Sequence, residues 1–351
     1  MSFPSLQTES SITVTVEVFE SEAGFEVLRG EWNDLLRRSP TDTIFLRWEW
    51  QSLWWEAYHP GDLLIAAVRD DSGALVGIAP WFIDTTSPDE RVVRGIGCVD
   101  VTDYVDIIFD AAHVETVMTA LADLLAERAS SYTRVNLCNL RDASPTLPGL
   151  RAALDRAGFQ TATEQQEVCP VIPLSRTFEQ YIESLDKKNR HELRRKMRIA
   201  EGNRELSTKI VGLEDDLETY TAQFMKLMAE STDDKAAFLQ NPQHVTFFKS
   251  ILPVMMANEW LQLAFLNYGD VPIAAYVNFV YNGRVMVYNS GLSLAYGHLG
   301  PGIVLIVNLI RHACNCGYNA FDFLRGNEEY KFRLGGIPEP VYMLKAKIGT
   351  Q

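Results

Sequence analysis

Tyr296-Gly297-His298-Leu299-Gly300-Pro301-Gly302 stands between an apolar run that reads as a strand, Val285 to Asn289, and a long apolar helical pattern, Pro301 to Cys316. Glycines at a strand-to-helix junction let bare backbone approach a ligand, and amides at a helix N-terminus favour anions. The stretch is therefore suited to cradle a pyrophosphate. Pro301 fits the first helical position, at the loss of one amide donor. Taken alone, the same residues also suit a structural turn.

Around this loop the elements follow a repeating order. Leu261 to Leu266, a turn at Tyr268-Gly269-Asp270 and Ile273 to Tyr281 predict a hairpin, and Asn282-Gly283 turns the chain into Val285. After the helix, Ala320 to Leu324 reads as a strand ending in Arg325-Gly326. The first half has the same pattern. Ile12 to Phe19 is a strand, Phe25 to Leu36 and Phe45 to Tyr58 are helical, and Leu63 to Val68 pairs with Leu75 to Ile83 across Asp70-Asp71-Ser72-Gly73. Val105 to Phe109, a helix His113 to Arg128, a strand Arg134 to Leu140, a helix Leu150 to Ala157 and a strand reaching Leu174 complete it. Laying Leu63 on Leu261, Ile78 on Ala274 and Leu137 on Phe323 gives an offset of roughly 185 to 200 residues, the signature of a duplicated unit. The expected architecture is α/β, in two similar domains over residues 1–175 and 176–351.

With 351 residues, 47% hydrophobic and 22% charged, the chain is too long for one small module and too apolar for disorder. Its net charge of -14 is opposite to the footprint of a general nucleic-acid binder, so DNA is not an expected partner. A polyanion would need a local basic patch. One exists: between Asp186 and Arg204 lie Lys187, Lys188, Arg190, Arg194, Arg195, Lys196, Arg198 and Arg204, against Glu192 and Glu201. Leu193 and Met197, at i and i+4, give this segment a narrow apolar stripe, as on a surface helix. It reads either as a solvated face or as a dock for phosphate.

Met1 to Ser10 shows no signal peptide, and Ile303 to Ile310 is far short of the ~20 residues a membrane span needs, so a soluble, cytoplasmic protein is expected. Five cysteines (Cys98, Cys138, Cys169, Cys314, Cys316) without CxxC spacing predict buried thiols rather than disulfides or zinc. The six histidines show no HExxH or facial-triad spacing, so no metal is expected; His298, inside the glycine loop, is a candidate general base. No GxSxG, P-loop or dinucleotide fingerprint is present. Gly95-Ile96-Gly97 reads as a tight turn.

The loop resembles the acyl-CoA pyrophosphate loop of GNAT acetyltransferases, Gln/Arg-x-x-Gly-x-Gly/Ala. Gly300 and Gly302 match, while Gly297 replaces the Gln or Arg. Phe321-Asp322-Phe323-Leu324-Arg325-Gly326-Asn327-Glu328-Glu329-Tyr330-Lys331-Phe332-Arg333, with Leu299 to Gly302, Lys187-Lys188-Asn189-Arg190 and Asp103-Tyr104, is similar to the CelD/BcsL-type GNAT acetyltransferases. These are relatives of the FemAB peptidyltransferases. The resemblance implies tandem GNAT-like domains, each a mixed sheet flanked by helices, and acyl-CoA (acetyl-CoA) as co-substrate.

From the residues themselves, Asp322 ends an apolar strand, with Arg325, Tyr330 and Lys331 nearby. The group can bind an acidic substrate, orient an amine or protonate a leaving thiolate; alternatively Asp322 pairs with Arg325 to fix the turn. Asp103, Tyr104 and Asp106 lie at the entry to a strand, where they either face a cleft between the halves or cap a turn. The expected catalytic residues are Asp322, Tyr330 and Lys331, with His298, Leu299, Gly300 and Gly302 holding the donor. Asp103, Tyr104, Arg325, Lys188 and Arg190 are expected to bind the acceptor. The expected reaction is N-acyl transfer to an amine of a small-molecule, sugar or glycan-precursor acceptor related to the envelope or polysaccharide. Two alternatives stand beside it: Fem-like aminoacyl transfer from a charged tRNA to a cell-wall precursor, and a non-catalytic binding protein of polysaccharide assembly.

Overall fold

The computed structural model describes residues 13–98 and 101–349; Met1 to Ser10 and Ile12 lie outside them. The first half runs β1 (Val14–Phe19), α1 (Ala23–Arg38), α2 (Trp48–Tyr58), β2 (Gly61–Asp70), β3 (Leu75–Asp84), β4 (Val92–Gly95), β5 (Ile108–Phe109), α3 (Val114–Glu127), β6 (Arg134–Arg141), α4 (Thr146–Arg156) and β7 (Phe159–Pro173). The second runs α5 (Phe178–Ser184), α6 (Lys187–Gly202), β8 (Leu206–Ile210), α7 (Leu217–Ser231), α8 (Asp233–Gln240), α9 (Pro242–Ala257), β9 (Leu261–Tyr268), β10 (Val271–Tyr281), β11 (Arg284–Leu292), α10 (Pro301–Asn315), β12 (Ala320–Asp322), α11 (Glu329–Arg333) and β13 (Ile337–Ile348).

One mixed sheet joins both halves in the order β1-β2-β3-β4-β6-β13-β7-β12-β11-β10-β9-β8, with β5 beside β3. Its two arms mirror each other. In each, antiparallel hairpins lead to a strand that pairs in parallel with the strand following a helix: β4 with β6, and β11 with β12. The centre is reciprocal. β13, last in the chain, pairs with β6 of the first half, while β7 pairs with β12 of the second. β7 and β13 lie against each other from Phe159–Ile348 to Val171–Ile337.

The aromatic positions decide how the halves meet. Trp50 of α2 is fully buried between Phe247, Phe279 and Tyr288 of the second half, with ring centroids 5.2, 5.4 and 5.6 Å away. Phe45 and Trp54 belong to the same continuous core as Phe224, Phe248 and Ile251. A side chain of this size contributes about 1.5–3 kcal/mol when buried, so the halves share one apolar interior. On the opposite face α10 buries Leu305, Ile306, Val307, Leu309 and Ile310 against β9, β10 and β11, as its apolar pattern requires.

Two local expectations are corrected. Phe45 to Tyr58 is not one helix: Ile44–Leu46 is a short 3-10 turn, and Arg47 is extended before α2 begins. Cys98 and Cys138 are not thiols but a disulfide, tying the turn after β4 to β6. A sequence separation of 40 carries no disulfide signal; proximity comes from the parallel pairing of β4 and β6. Cys169 and Cys314 are buried free thiols and Cys316 is an exposed one.

Candidate active site

The second half's sheet forks. β11 and β12 pair only from Arg284–Ala320 to Met286–Asp322. Beyond that point β11 continues to Leu292, whereas Phe323 and Gly326 donate their amides to Pro170 and Val168 of β7. The edge of β11 is thereby left without a neighbouring strand. α10 returns from the end of β11 to β12, so its N-terminus stands at the mouth of the fork. No side chain caps that terminus; its N-cap, Gly300, has φ 61°, and a Cβ there would meet only open space. Gly302 is different: a Cβ would approach Leu292 at 3.1 Å, so this glycine lets the helix sit close on β11.

The side chains filling the fork include several that sequence patterning does not single out. Ser293 donates its amide to Ile273 O, which sets the phase of the β10–β11 ladder, so Ser290 and Leu292 turn their backbone groups away from β10 toward the open edge. These groups are met by side chains. Lys235 of α8 donates to Ser290 O and, at 3.0 Å, to Ser290 Oγ; Ser231, whose hydroxyl hydrogen goes to Leu227 O at 2.7 Å, accepts from Leu292 N at 2.6 Å through its Oγ. Asn289 Oδ1 accepts from Ser290 N at 2.8 Å. Burial lowers the Lys235 ammonium to about 8, against an opposing pull from Glu328. The charge of Glu328 is also felt at Tyr276 and Tyr330, both raised chiefly by burial.

Lys331 is almost fully buried, with its ammonium 2.9 Å from Arg325 O, 3.3 Å from Gly326 O and 2.8 Å from Glu328 Oε2. Its three donors are thus used in folding residues 325–328 back on themselves. Tyr330 packs edge-on to Phe323 and borders a cavity of about 170 Å3 with Asn189, Leu193, Lys196, Ile303 and Arg333. That cavity joins α6 to the first turn of α10.

Asp322 is fully buried at the apex of the fork and faces the first half. Its Oδ2 accepts from Tyr104 and from Arg284, each at 2.8 Å, and its Oδ1 from Leu324 N at 2.8 Å. Burial raises its pKa and Arg284 opposes the rise; burial also raises Tyr104. Arg325, the partner suggested by adjacency in sequence, instead pairs with Asp103 and donates to Thr102 O at 3.2 Å. The structure therefore brings Asp103 and Tyr104 to Arg325 and Asp322, across the halves. Buried Asp106 lies apart, its Oδ1 accepting from Ile107 N at 2.8 Å. His298 is exposed in the short turn Leu294–Leu299.

α6 is the helix that the charge pattern predicts. Asp186 caps it, accepting from Lys188 N and Asn189 N at 2.9 and 3.0 Å; Leu193, Met197 and Ala200 are buried. Lys187, Lys188, Arg194, Arg195 and Arg198 are exposed, while Arg190 bends back to Glu183 O at 3.1 Å.

Residues 187–332 match the family described as Acetyltransferase (GNAT) domain. Among solved structures, the chain is similar to a protein described as FemX, with TM-score 0.63 and 11% identity over 93% of this chain and 96% of that one. L-PGS from Bacillus licheniformis aligns with TM-score 0.55 and 10% identity over 95% and 93%. A tandem GNAT protein from the clavulanic acid biosynthesis pathway aligns with TM-score 0.51 and 12% identity over 96% and 100%. No curated protein matches in sequence. The fold is accordingly mixed α/β, one large mixed sheet flanked by helices, and its structural neighbours include a tandem GNAT protein. No helix among the described residues is long and apolar enough to cross a membrane, and no metal-ligating cluster occurs among them.

Proposed function

We propose that this chain is an N-acyltransferase built from two GNAT-like units, 1–175 and 176–351, that moves an acyl group, in the first instance acetyl, from acyl-CoA to an amine of a small-molecule, sugar or envelope-related acceptor. The observation that carries the reading is the fork between β11 and β12 with the uncapped N-terminus of α10 at its mouth. A thioester bound there supplies an activated acyl carbon. The amides of Gly302 and Ile303 suit its phosphates, and the open space over Gly300 admits them. In this reading Tyr330 donates a proton to the departing sulfur, and Glu328 holds or deprotonates the attacking amine. Lys331 and Asp322 are assigned positioning roles: one folds the turn that presents Glu328 and Tyr330, the other fixes the apex of the fork.

The test is thermal. Acetyl-CoA and CoA should raise the melting temperature, with stabilisation of about 2.7 kcal/mol at a hundredfold excess over Kd. Gly300→Val, whose side chain projects into the space over the loop, should remove the shift while circular dichroism remains native. No shift at millimolar CoA would count decisively against the reading.

A second reading, aminoacyl transfer from a charged tRNA, has one observation in its favour. The free edge of β11 is already met by Lys235, Ser231 and Asn289, so an extended thioester arm pairing there must displace them. The exposed cations of α6 suit a phosphate backbone. Retention of charged tRNA on the protein at physiological salt, without any CoA-dependent shift, would favour it.

A further inference from the structure

The fork contains two lysines in contrasting surroundings. Lys331 has a counter-ion and two carbonyls for its three donors. Lys235 meets only Ser290 O and Ser290 Oγ, both uncharged, and its third hydrogen has no partner among the described residues. The acid whose field reaches Lys235, Glu328, is in contact with Lys331 instead. A largely desolvated ammonium without a contacting anion is costly. A ligand that supplied an anionic oxygen would recover that cost on binding.

We propose that Lys235 is the anion-binding residue of the cleft, and that the acceptor is an amine that also carries a carboxylate or phosphate, which Lys235 holds. The inference rests on the acyl-transfer reading. Under it the donor's phosphates belong at the N-terminus of α10, while the thioester and the amide arm behind it are uncharged. An anion beside Ser290, inside the fork, therefore comes from the acceptor. A cation at this place has a second use: like charges repel, so Lys235 favours the unprotonated form of a neighbouring amine, the form that attacks.

The experiment supplies the full chain with acetyl-CoA and amines matched except for the acid: glucosamine against glucosamine 6-phosphate, and β-alaninamide against β-alanine. Thiol release is followed. The acidic member of at least one pair should show kcat/KM about tenfold higher or more, and the responding pair tells phosphate from carboxylate. Lys235→Met should bring that ratio towards one, and Lys235→Arg should retain it. Equal measurable rates within both pairs, or a ratio unchanged in Lys235→Met, would overturn the proposal. A second readout needs no turnover: the acidic amines alone should stabilise the wild-type chain against heat and not the Lys235→Met chain. Stabilisation of neither, or of both alike, also overturns it. Acid-dependent stabilisation of the wild type alone, with no thiol release from any amine, supports the anion site and counts against acyl transfer instead.

Discussion

Tyr104, held at φ 50° in the loop before β5, donates its hydroxyl hydrogen to Asp322 Oδ2 at 2.8 Å across 218 residues of chain. The same carboxylate oxygen accepts from Arg284, so the apex of the fork and the first half are one hydrogen-bonded unit. Tyr104→Phe should cost about 1–3 kcal/mol, because a buried acceptor loses one of its donors. Arg284→Met should cost more, about 3–5 kcal/mol, since the carboxylate loses its counter-ion. Urea unfolding of the two variants provides the ranking, and a reversed order would mean that Asp322 is held mainly by the phenol.

Asp106 gives a pH dependence. Burial raises its carboxyl from 3.8 to about 6, so between these values the native state keeps a proton that the unfolded chain has lost. Native stability should therefore fall as pH rises from 4 to 6, by up to about 3 kcal/mol, and change little from this source above about pH 7. Asp106→Asn removes the titrating group and keeps an oxygen for Ile107 N. Its denaturation midpoint should gain on that of the wild type across that window; a constant gap would show that Asp106 ionises normally.

Gly326 has φ 121°, a backbone conformation that L side chains rarely adopt, and a Cβ there would crowd the side-chain ends of Glu328 and Lys331. Gly326→Ala should displace the turn that presents Glu328 and Tyr330 and lower turnover by roughly 10² or more, with a folding cost of about 1–3 kcal/mol. Gly300→Ala, at a left-handed position with open space, should cost only about 1–2 kcal/mol. Side-by-side melting curves and initial rates separate the two; equal losses in both would contradict this account.

The Cys98–Cys138 disulfide anchors one end of the segment that carries Asp103 and Tyr104 to the second half. Replacing both cysteines by serine should cost about 2–4 kcal/mol. Dithiothreitol should lower the wild-type melting temperature and leave the double variant unmoved. A wild type insensitive to reductant would mean that the loop is held by Asp103 and Tyr104 alone.

On α6, Arg194→Glu with Arg195→Glu reverses two exposed cations on the side away from the buried stripe. Affinity for a phosphate-bearing ligand should fall and its salt dependence flatten. Unchanged binding across 50 to 500 mM salt, roughly the range over which screening shortens from ~14 to ~4 Å, would return the helix to a solvated face.

What patterning shows in this sequence is local. The glycine loop and α10 are legible because periodicity and turn chemistry act over a few residues. α6 is legible from its charge run and its Leu193–Met197 stripe. Lys235 carries no such signal: its meaning depends on Ser290 facing an unpaired edge, which follows from the hydrogen-bond phase of β10 and β11. The partners of Asp322 are hidden for a related reason. Arg325 is three residues away in sequence but serves Asp103, while Arg284 reaches the carboxylate because β11 and β12 run in parallel beside each other.

The placement of β13 between β6 and β7 bears on how the molecule is made. A chain leaving the ribosome releases β6 and β7 early, but the strand that lies between them is synthesised only after the whole of α5 to α11. At about 5–20 residues per second, roughly 200 residues separate β6 from its neighbour, a delay of about 10–40 s. During that interval β6 presents a strand edge rich in buried positions to anything nearby. The first half is thus a nascent species with an unclosed sheet until β13 arrives.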